Sequence, residues 1–380
     1  MFPALRRVYQ LTRHLSSPSI LSSPSGSSIS RPIFVPALPL AGTHNMATGN
    51  SSKITEWVLK GDTSGEFKRQ ASVFRNWISS KPGAEFPPEK DRYHLYVSYA
   101  CPWAHRTLIA RKLKGLEDFI SYTSVHWHLA SQGWRFATTD EDLPGDNTTP
   151  DPLHPSFTHL REIYFDNEPD YAGRFTVPVL YDKKSKRIVS NESSEIIRMF
   201  YYEFDSLLPE QYSKIDLFPP SLRSEIDAIN EWTYNDVNNG VYKSGFATTQ
   251  EAYERAVTTL FSSLDKIESH LATSNTRYYL GDSITELDIR LYTTIVRFDP
   301  VYVQHFKCNV RDIRSGYPAI HRWLKTLYWD VPAFQETTQF EHIKKHYTKS
   351  HTQINQFAIT PVGPTPDILP KNEEVRAVQN

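Results

Sequence analysis

Runs of apolar positions change period along the chain, and the change divides it in two. Residues 94–100 (HLYVSYA) are almost continuously apolar and β-rich, as a buried strand would be. The next residues, CPWAHRTLIARKLKGL, place a proline at the start. Ile109, Leu113 and Leu116 then recur at helical spacing, and Gly115 stands near the end, which predicts a helix. FISYTSVHW, 119–127, reads as a second strand. After an interruption, TVPVLYD and RIVS flank the turn KKSK. NESSEIIRMFYYEF then reads as a helix capped by Asn191 or Ser190, with acids in its first turn. A β-α-β half followed by a β-β-α half predicts a thioredoxin-like unit.

Beyond residue 220 the strand pattern stops. Leu222, Ile226, Ile229 and Trp232 share one helical face. Tyr253, Val257, Leu260, Leu264, Ile267 and Leu271 share another, and so do Ile320, Trp323, Leu324 and Leu327. Thr285 and Asp288 have the spacing of a capping box. The fold class expected is therefore α/β thioredoxin-like followed by all-α. The thioredoxin-like domain would cover 47–205, a polar linker 206–220, and the helical domain 221–345. An extended, proline-bearing tail would cover 346–380. Residues 47–90 read as an irregular extension wrapped onto the first domain. Residues 137–173, rich in acids and prolines, read as a surface insertion with one short helix near His159–Phe165.

Composition narrows the classes of function. The net charge of −1 gives no basis for nucleic-acid binding. No apolar run reaches the length of a membrane span. Aromatic residues are 13% of the chain, which suits an interior or a ligand site built from rings. Two cysteines among 380 residues are too few for a disulfide framework and fit a reducing compartment. Residues 1–55 contain no Asp or Glu but carry Arg6, Arg7, Arg13 and Arg31 among many serines. That is the pattern of an organelle presequence, so 1–46 is expected to direct mitochondrial import. Initiation at Met46 would yield a cytosolic form.

Three features carry chemistry. Cys101 ends a strand and opens a helix, where unpaired N–H groups and the helix dipole favour thiolate. Position alone leaves open whether it is a reactive thiol or a packed structural one. Trp103 and Ala104 fill the places where a second redox cysteine would stand, so any disulfide chemistry needs an external thiol. Val177-Pro178 opens a strand; if cis, the peptide would turn the Val177 backbone toward a peptide-like ligand. Glu192-Ser193 lies at a helix N-terminus, where carboxylates bind and Glu192 would meet an ammonium; it reads equally as plain capping.

A thiolate, a backbone edge and a carboxylate site in this order suit γ-Glu-Cys-Gly. The motifs SYACPWAHR, GWRF, GRFTVPVL, SNESSEI, NNGVYKSGFA, RFDPVYVQHFKCN and HIKKHY resemble the xi-class glutathione transferases, the glutathionyl-hydroquinone reductases, over residues 55–360. The resemblance implies Cys101 as nucleophile, Trp134 packing on glutathione, and Arg174, Phe175, Thr176 and Val177 as a glutathione-contacting segment. It implies Glu192 and Ser193 as the γ-glutamyl clamp and Tyr242 as the acid toward the departing hydroquinone. It also implies Tyr302 and Tyr347 beside the cysteine, favouring its thiolate; read without the resemblance, those two are core tyrosines. Glutathione would be the co-substrate, glutathionylated hydroquinones the substrates, and a homodimer the assembly.

Two other readings compete. An omega-like thioltransferase or dehydroascorbate reductase would share Cys101 without needing Tyr242. A non-enzymatic glutathione-transferase-like module would need no reactive thiol. No metal is expected. His342 and His346 are spaced as ligands, but without a glutamate between them they read as surface histidines. His126 and His128 flank Trp127 on a strand without a third ligand. Cys308 reads as a packed thiol.

Overall fold

The computed structural model describes residues 63–374. The expected presequence, 1–46, lies outside the described residues. Four strands form the main sheet: β1 (Tyr93–Val97), β2 (Ile120–Ser124), β5 (Val179–Asp182) and β6 (Arg187–Ser190), in the order β2-β1-β5-β6. A two-stranded ribbon, β3 (Leu129–Ala130) with β4 (Gly133–Trp134), lies between β2 and β5 in the chain. β1 runs parallel to β2 and antiparallel to β5, so Leu95 faces both Tyr122 and Leu180 in register. All five residues of β1 are buried, as its near-continuous apolar pattern requires for an inner strand. His94, the polar member, is neutralised by burial, its pKa lowered to about 3, and its ring nitrogens bond Ser121 Oγ and Thr123 Oγ1 on β2.

α1 (Pro102–Leu113) and α3 (Ser193–Tyr202) pack on each other beside this sheet, and α2 (Leu160–Asn167) packs on β4 and β6. α1 starts with Pro102 in its first turn, where no N–H is needed, and ends before Gly115, whose φ is 62°. The cap of α3 is Glu192 rather than Asn191 or Ser190. Its carboxylate accepts from Ser194 N at 3.1 Å, while Asn191 Oδ1 is engaged by Phe74 N. The segment 137–173 is mostly exposed or half-buried, as expected, but it docks on the domain through a few buried side chains. It carries α2, whose Leu160, Ile163 and Tyr164 are buried, and Asp151 is buried while accepting from Tyr96 Oη. The short helix expected near His159–Phe165 is α2, and its buried face ties the segment to the core.

Residues 63–90 do wrap onto this unit. Asn76 N donates to Val189 O, Asn191 N donates to Phe74 O, and Ile78 is fully buried.

The rest is helical: α4 (Glu210–Ser213), α5 (Arg223–Thr233), α6 (Gly240–Gly245), α7 (Gln250–Thr273), α8 (Glu286–Ile295), α9 (Val303–His305), α10 (Ile313–Gly316), α11 (Pro318–Asp330), α12 (Pro332–Gln335) and α13 (Phe340–Ser350). The expected helical faces appear as α5, α7 and α11, and Thr285 with Asp288 forms the capping box of α8. α13 runs through residue 345 to Ser350, so Tyr347 sits in a helix and not in a tail. Single π-helical turns interrupt the series at Tyr234–Asn238, just before α6, and at Phe298–Tyr302, just after α8. Such turns re-aim the side chains that follow them. α1 packs on α8, which brings the cysteine-bearing helix against the helical part. No helix among the described residues is long and apolar enough to cross a membrane.

Candidate active site

Cys101 is the N-cap of α1, with extended backbone (φ −79°, ψ 119°). Strand β1 ends at Val97, earlier than the pattern predicts, because Cys101 N closes a turn on Ser98 O. The cysteine is half-buried, and its Sγ donates to Val177 O at 3.6 Å. Burial pushes the thiol pKa up. Against burial work the N–H of Ala104, the Arg69 guanidinium, the N–H of Trp103 and the Arg297 guanidinium. The helix-start N–H groups favour thiolate as expected, but burial outweighs them.

The peptide bond Val177–Pro178 is cis. A cavity of about 250 Å³ opens beside it. Arg174, Thr176, Val177, Glu192 and Ser193, all named in the sequence reading, line it. Phe175 turns away and packs among Tyr164, Phe165 and Tyr171. Trp134 is also outside the lining; it is buried in β4 and stacked on His346, ring centroids 4.8 Å apart.

Glu192 is held below the usual carboxylate range. Burial alone would raise it, but the Ser194 N–H, the Ser194 hydroxyl, the Ser72 hydroxyl and Arg106 together prevail. Ser72 Oγ donates to Glu192 Oε2 at 3.0 Å, so the extension helps to hold this carboxylate. Arg69, also from the extension, lies 4.2 Å over the Trp103 ring, and Arg106 lies 4.4 Å from the same centroid. Arg69, Ser72, Trp103, Asn191 and Tyr234 also line the cavity; the pattern marks Trp103 and Asn191 for other reasons and does not mark Arg69, Ser72 or Tyr234. The only signal for the first two was that polar 63–90 carries aromatics and so must dock.

The three tyrosines converge. Tyr242 Oη lies 2.5 Å from Tyr347 Oη, and Tyr302 Oη lies 3.1 Å from Tyr347 Oη. They come from α6, the π turn after α8, and α13, and all are buried. The Tyr242 ring stacks on Trp103, centroids 6.3 Å apart. Its pKa is pushed up to about 12, by burial first and by the negative charge of Cys101 second. Tyr242 is thus a protonated donor at neutral pH, beside the thiol, with a hydroxyl chain behind it. Phe67 closes this end, packing on Tyr242 and Phe246.

The histidine readings change. His342 and His346 are buried and not at the surface, because α13 turns that face inward. His342 Nε2 donates to Pro144 O at 2.7 Å and His346 Nδ1 to Trp127 O at 2.9 Å. β2 stops at Ser124, so His126 and His128 lie beyond the strand, with His128 N donating to His126 Nδ1. Cys308 is a fully buried thiol, and burial raises its pKa.

A cysteine-capped helix on a thioredoxin-like sheet, facing a helical domain across a cavity, is the plan of a glutathione transferase. Two family models match: "Glutathione S-transferase, N-terminal domain" over residues 100–201 and "Glutathione S-transferase, C-terminal domain" over 250–326. The chain is 56% identical over 320 residues to glutathione S-transferase omega-like 2 of Schizosaccharomyces pombe, covering 84% of this chain and 99% of that one. It is 49% identical to the glutathionyl-hydroquinone reductase YqjG of Escherichia coli, covering 84% of this chain and 96% of that one. The glutathione-bound structure of the same bacterial protein superposes with a TM-score of 0.71 at 49% identity, over 77% of this chain and 92% of that one. The xi glutathione transferase of Phanerochaete chrysosporium superposes with a TM-score of 0.78 at 59% identity, over 82% of this chain and 96% of that one. The chain belongs to the glutathione S-transferase family, in its xi class, and is a glutathione-dependent enzyme.

Proposed function

We propose that the protein is a glutathionyl-hydroquinone reductase. The observation that carries this is the protonated Tyr242, stacked on Trp103 beside Cys101 and backed by Tyr347. A thiol–disulfide exchange needs no such acid, because a thiolate leaves unaided. Reductive cleavage of a carbon–sulfur bond does need one.

The substrate's glutathionyl part would occupy the cavity. Its γ-glutamyl ammonium pairs with Glu192, its α-carboxylate with the Ser193 hydroxyl and the N–H groups opening α3, and its backbone with Val177. Arg69 and Arg174 supply positive charge for the glycyl end, and Trp134 and Phe175 act from behind the lining. The Cys101 thiolate attacks the glutathionyl sulfur. A sulfur–sulfur bond forms, the aryl carbon–sulfur bond breaks, and the electron pair leaves on the ring carbon. Tyr242 protonates that carbon, and Tyr347 with Tyr302 steadies the phenolate left behind. Free hydroquinone departs. A second glutathione, as thiolate, then attacks the Cys101–glutathione disulfide, releasing oxidised glutathione and restoring the Cys101 thiolate. The proton this glutathione loses restores Tyr242. Both sulfurs are oxidised as the ring carbon is reduced.

The proposal includes a homodimer and mitochondrial import through residues 1–46, read by sizing of the purified protein and by cell fractionation. Mass spectrometry tests the chemistry. One equivalent of a glutathionyl-hydroquinone without free glutathione must add one glutathione to the Cys101 peptide and release hydroquinone. Adduct formation from oxidised glutathione alone, with none from the aryl thioether, would favour the omega-like thioltransferase reading. No adduct from either would favour a binding module.

A further inference from the structure

Arg297 stands at the end of α8, directly before the π turn that carries Tyr302, and its side chain is fully buried. Its Nη2 donates to Tyr99 O at 2.8 Å and its Nε to Ala100 O at 3.1 Å. Its Nη1 donates to Thr293 O at 2.7 Å and to His105 Nδ1 at 3.0 Å. Tyr99 and Ala100 lead directly into Cys101. A side chain of the helical domain therefore grips the loop that presents the thiol.

Every one of these partners is neutral. Because His105 Nδ1 accepts, the ring proton is on Nε2, which donates to Thr337 Oγ1 at 2.9 Å. Burial first and Arg297 second hold the His105 pKa well below its ordinary value. Asp299, two residues on, is turned away, its oxygens accepting from Ile313 N and Arg314 N. Among the described residues Arg297 makes no ion pair. A buried guanidinium with only neutral partners is unfavourable until an anion forms within its reach.

The groups around it that can become anionic are Cys101 at the cap of α1, Tyr242 on α6, Tyr302 in the π turn, Tyr347 on α13 and Tyr292 on α8. Arg297 lowers the pKa of each. Arg69 acts on Cys101 from the extension as a second cation, and His346 on α13, held neutral by burial, faces Arg297. Of the ionisable groups the thiol has the lowest ordinary pKa, so it ionises first. We propose that Arg297 is a positioning residue that fixes the loop before Cys101 and serves as the buried counter-charge of its thiolate. This rests on Cys101 being the nucleophile.

The test is the pH profile of Cys101 alkylation by iodoacetamide, read on the Cys101 peptide, in wild type, Arg297→Gln and Arg297→Lys. Arg297→Gln should alkylate about tenfold more slowly at neutral pH, with the midpoint about one unit higher. Arg297→Lys keeps the charge but cannot hold both carbonyls. Its profile should stay at the wild-type midpoint while kcat falls. An unchanged midpoint in folded Arg297→Gln overturns the inference. If that variant does not fold, Arg297→Lys decides, and a midpoint raised by a full unit overturns it. An unreactive Cys101 in wild type would instead overturn the nucleophile reading.

Discussion

The hydroxyls of Tyr242 and Tyr347 lie 2.5 Å apart inside the buried seam between α6 and α13. One of the two must donate, and whichever does steadies negative charge on the other. Tyr242→Phe should lower kcat for aryl thioether cleavage by about two to three orders of magnitude, the usual weight of a general acid. Exchange with a glutathione mixed disulfide should stay within a few-fold of wild type. Tyr347→Phe should slow the same step less, because the acid itself remains. Equal losses on both substrate types would remove Tyr242 from its role.

The clamp makes a pH prediction. Glu192 is held below the usual carboxylate range, so it stays ionised to lower pH than an ordinary glutamate. A depressed carboxylate pKa gives a contribution present above the ordinary value and lost as pH falls through the folded one. KM for glutathione should therefore stay flat on the acid side down to about pH 4, near the ordinary glutamate pKa. Glu192→Gln should raise KM about 10- to 100-fold across the range, as expected for one charge-assisted hydrogen bond. A wild-type KM that already climbs between pH 7 and 5 would contradict the assignment.

Much of this was legible in residues, and the failures have physical causes. Periodicity found α5, α7 and α11 because each buries one clean face. The capping spacing found the start of α8. It failed at α3, where three polar residues in a row each can cap and only tertiary bonds to Phe74 choose among them. Residues 137–173 were legible as a mostly exposed stretch with one short helix, α2, but nothing in their pattern showed which side chains that helix buries. His342 and His346 misled because a charged helix says nothing about which face turns inward. Arg297 stood inside a recognised motif, yet a lone arginine carries no sign of burial. Arg69 and Ser72 reach the cavity only through a docked extension, which has no periodicity to read.

At Gly245, α6 tolerates no added bulk. A Cβ at Gly245 would sit 2.0 Å from Phe306 Cδ1, and Phe306 is fully buried and stacked on Tyr302. The neighbour cannot yield without moving the tyrosine cluster. Gly245→Ala should destabilise the enzyme by about 1–3 kcal/mol, the range for overpacking. It should also reduce aryl thioether cleavage more than alkylation of Cys101. Denaturant midpoints alongside the two assays would check this, and an unchanged midpoint with full activity would contradict it.

Phe67 lines the cavity and packs on Tyr242 and Phe246, so it stands between the cavity and the tyrosine cluster. Phe67→Ala should destabilise by about 3 kcal/mol, as for other buried phenylalanines. It should also lower KM for bulky glutathionyl-hydroquinones relative to small ones. The ratio of KM values for a two-ring and a one-ring substrate measures this, and a ratio equal to that of wild type would show that the ring lies elsewhere.

The most direct measurement is steady-state turnover of a glutathionyl-hydroquinone with excess glutathione, comparing wild type, Cys101→Ala and Tyr242→Phe. Wild type should release equal amounts of free hydroquinone and oxidised glutathione. Cys101→Ala should release neither, and Tyr242→Phe should be slowed with the same stoichiometry. Hydroquinone release by Cys101→Ala at the wild-type rate would contradict the account.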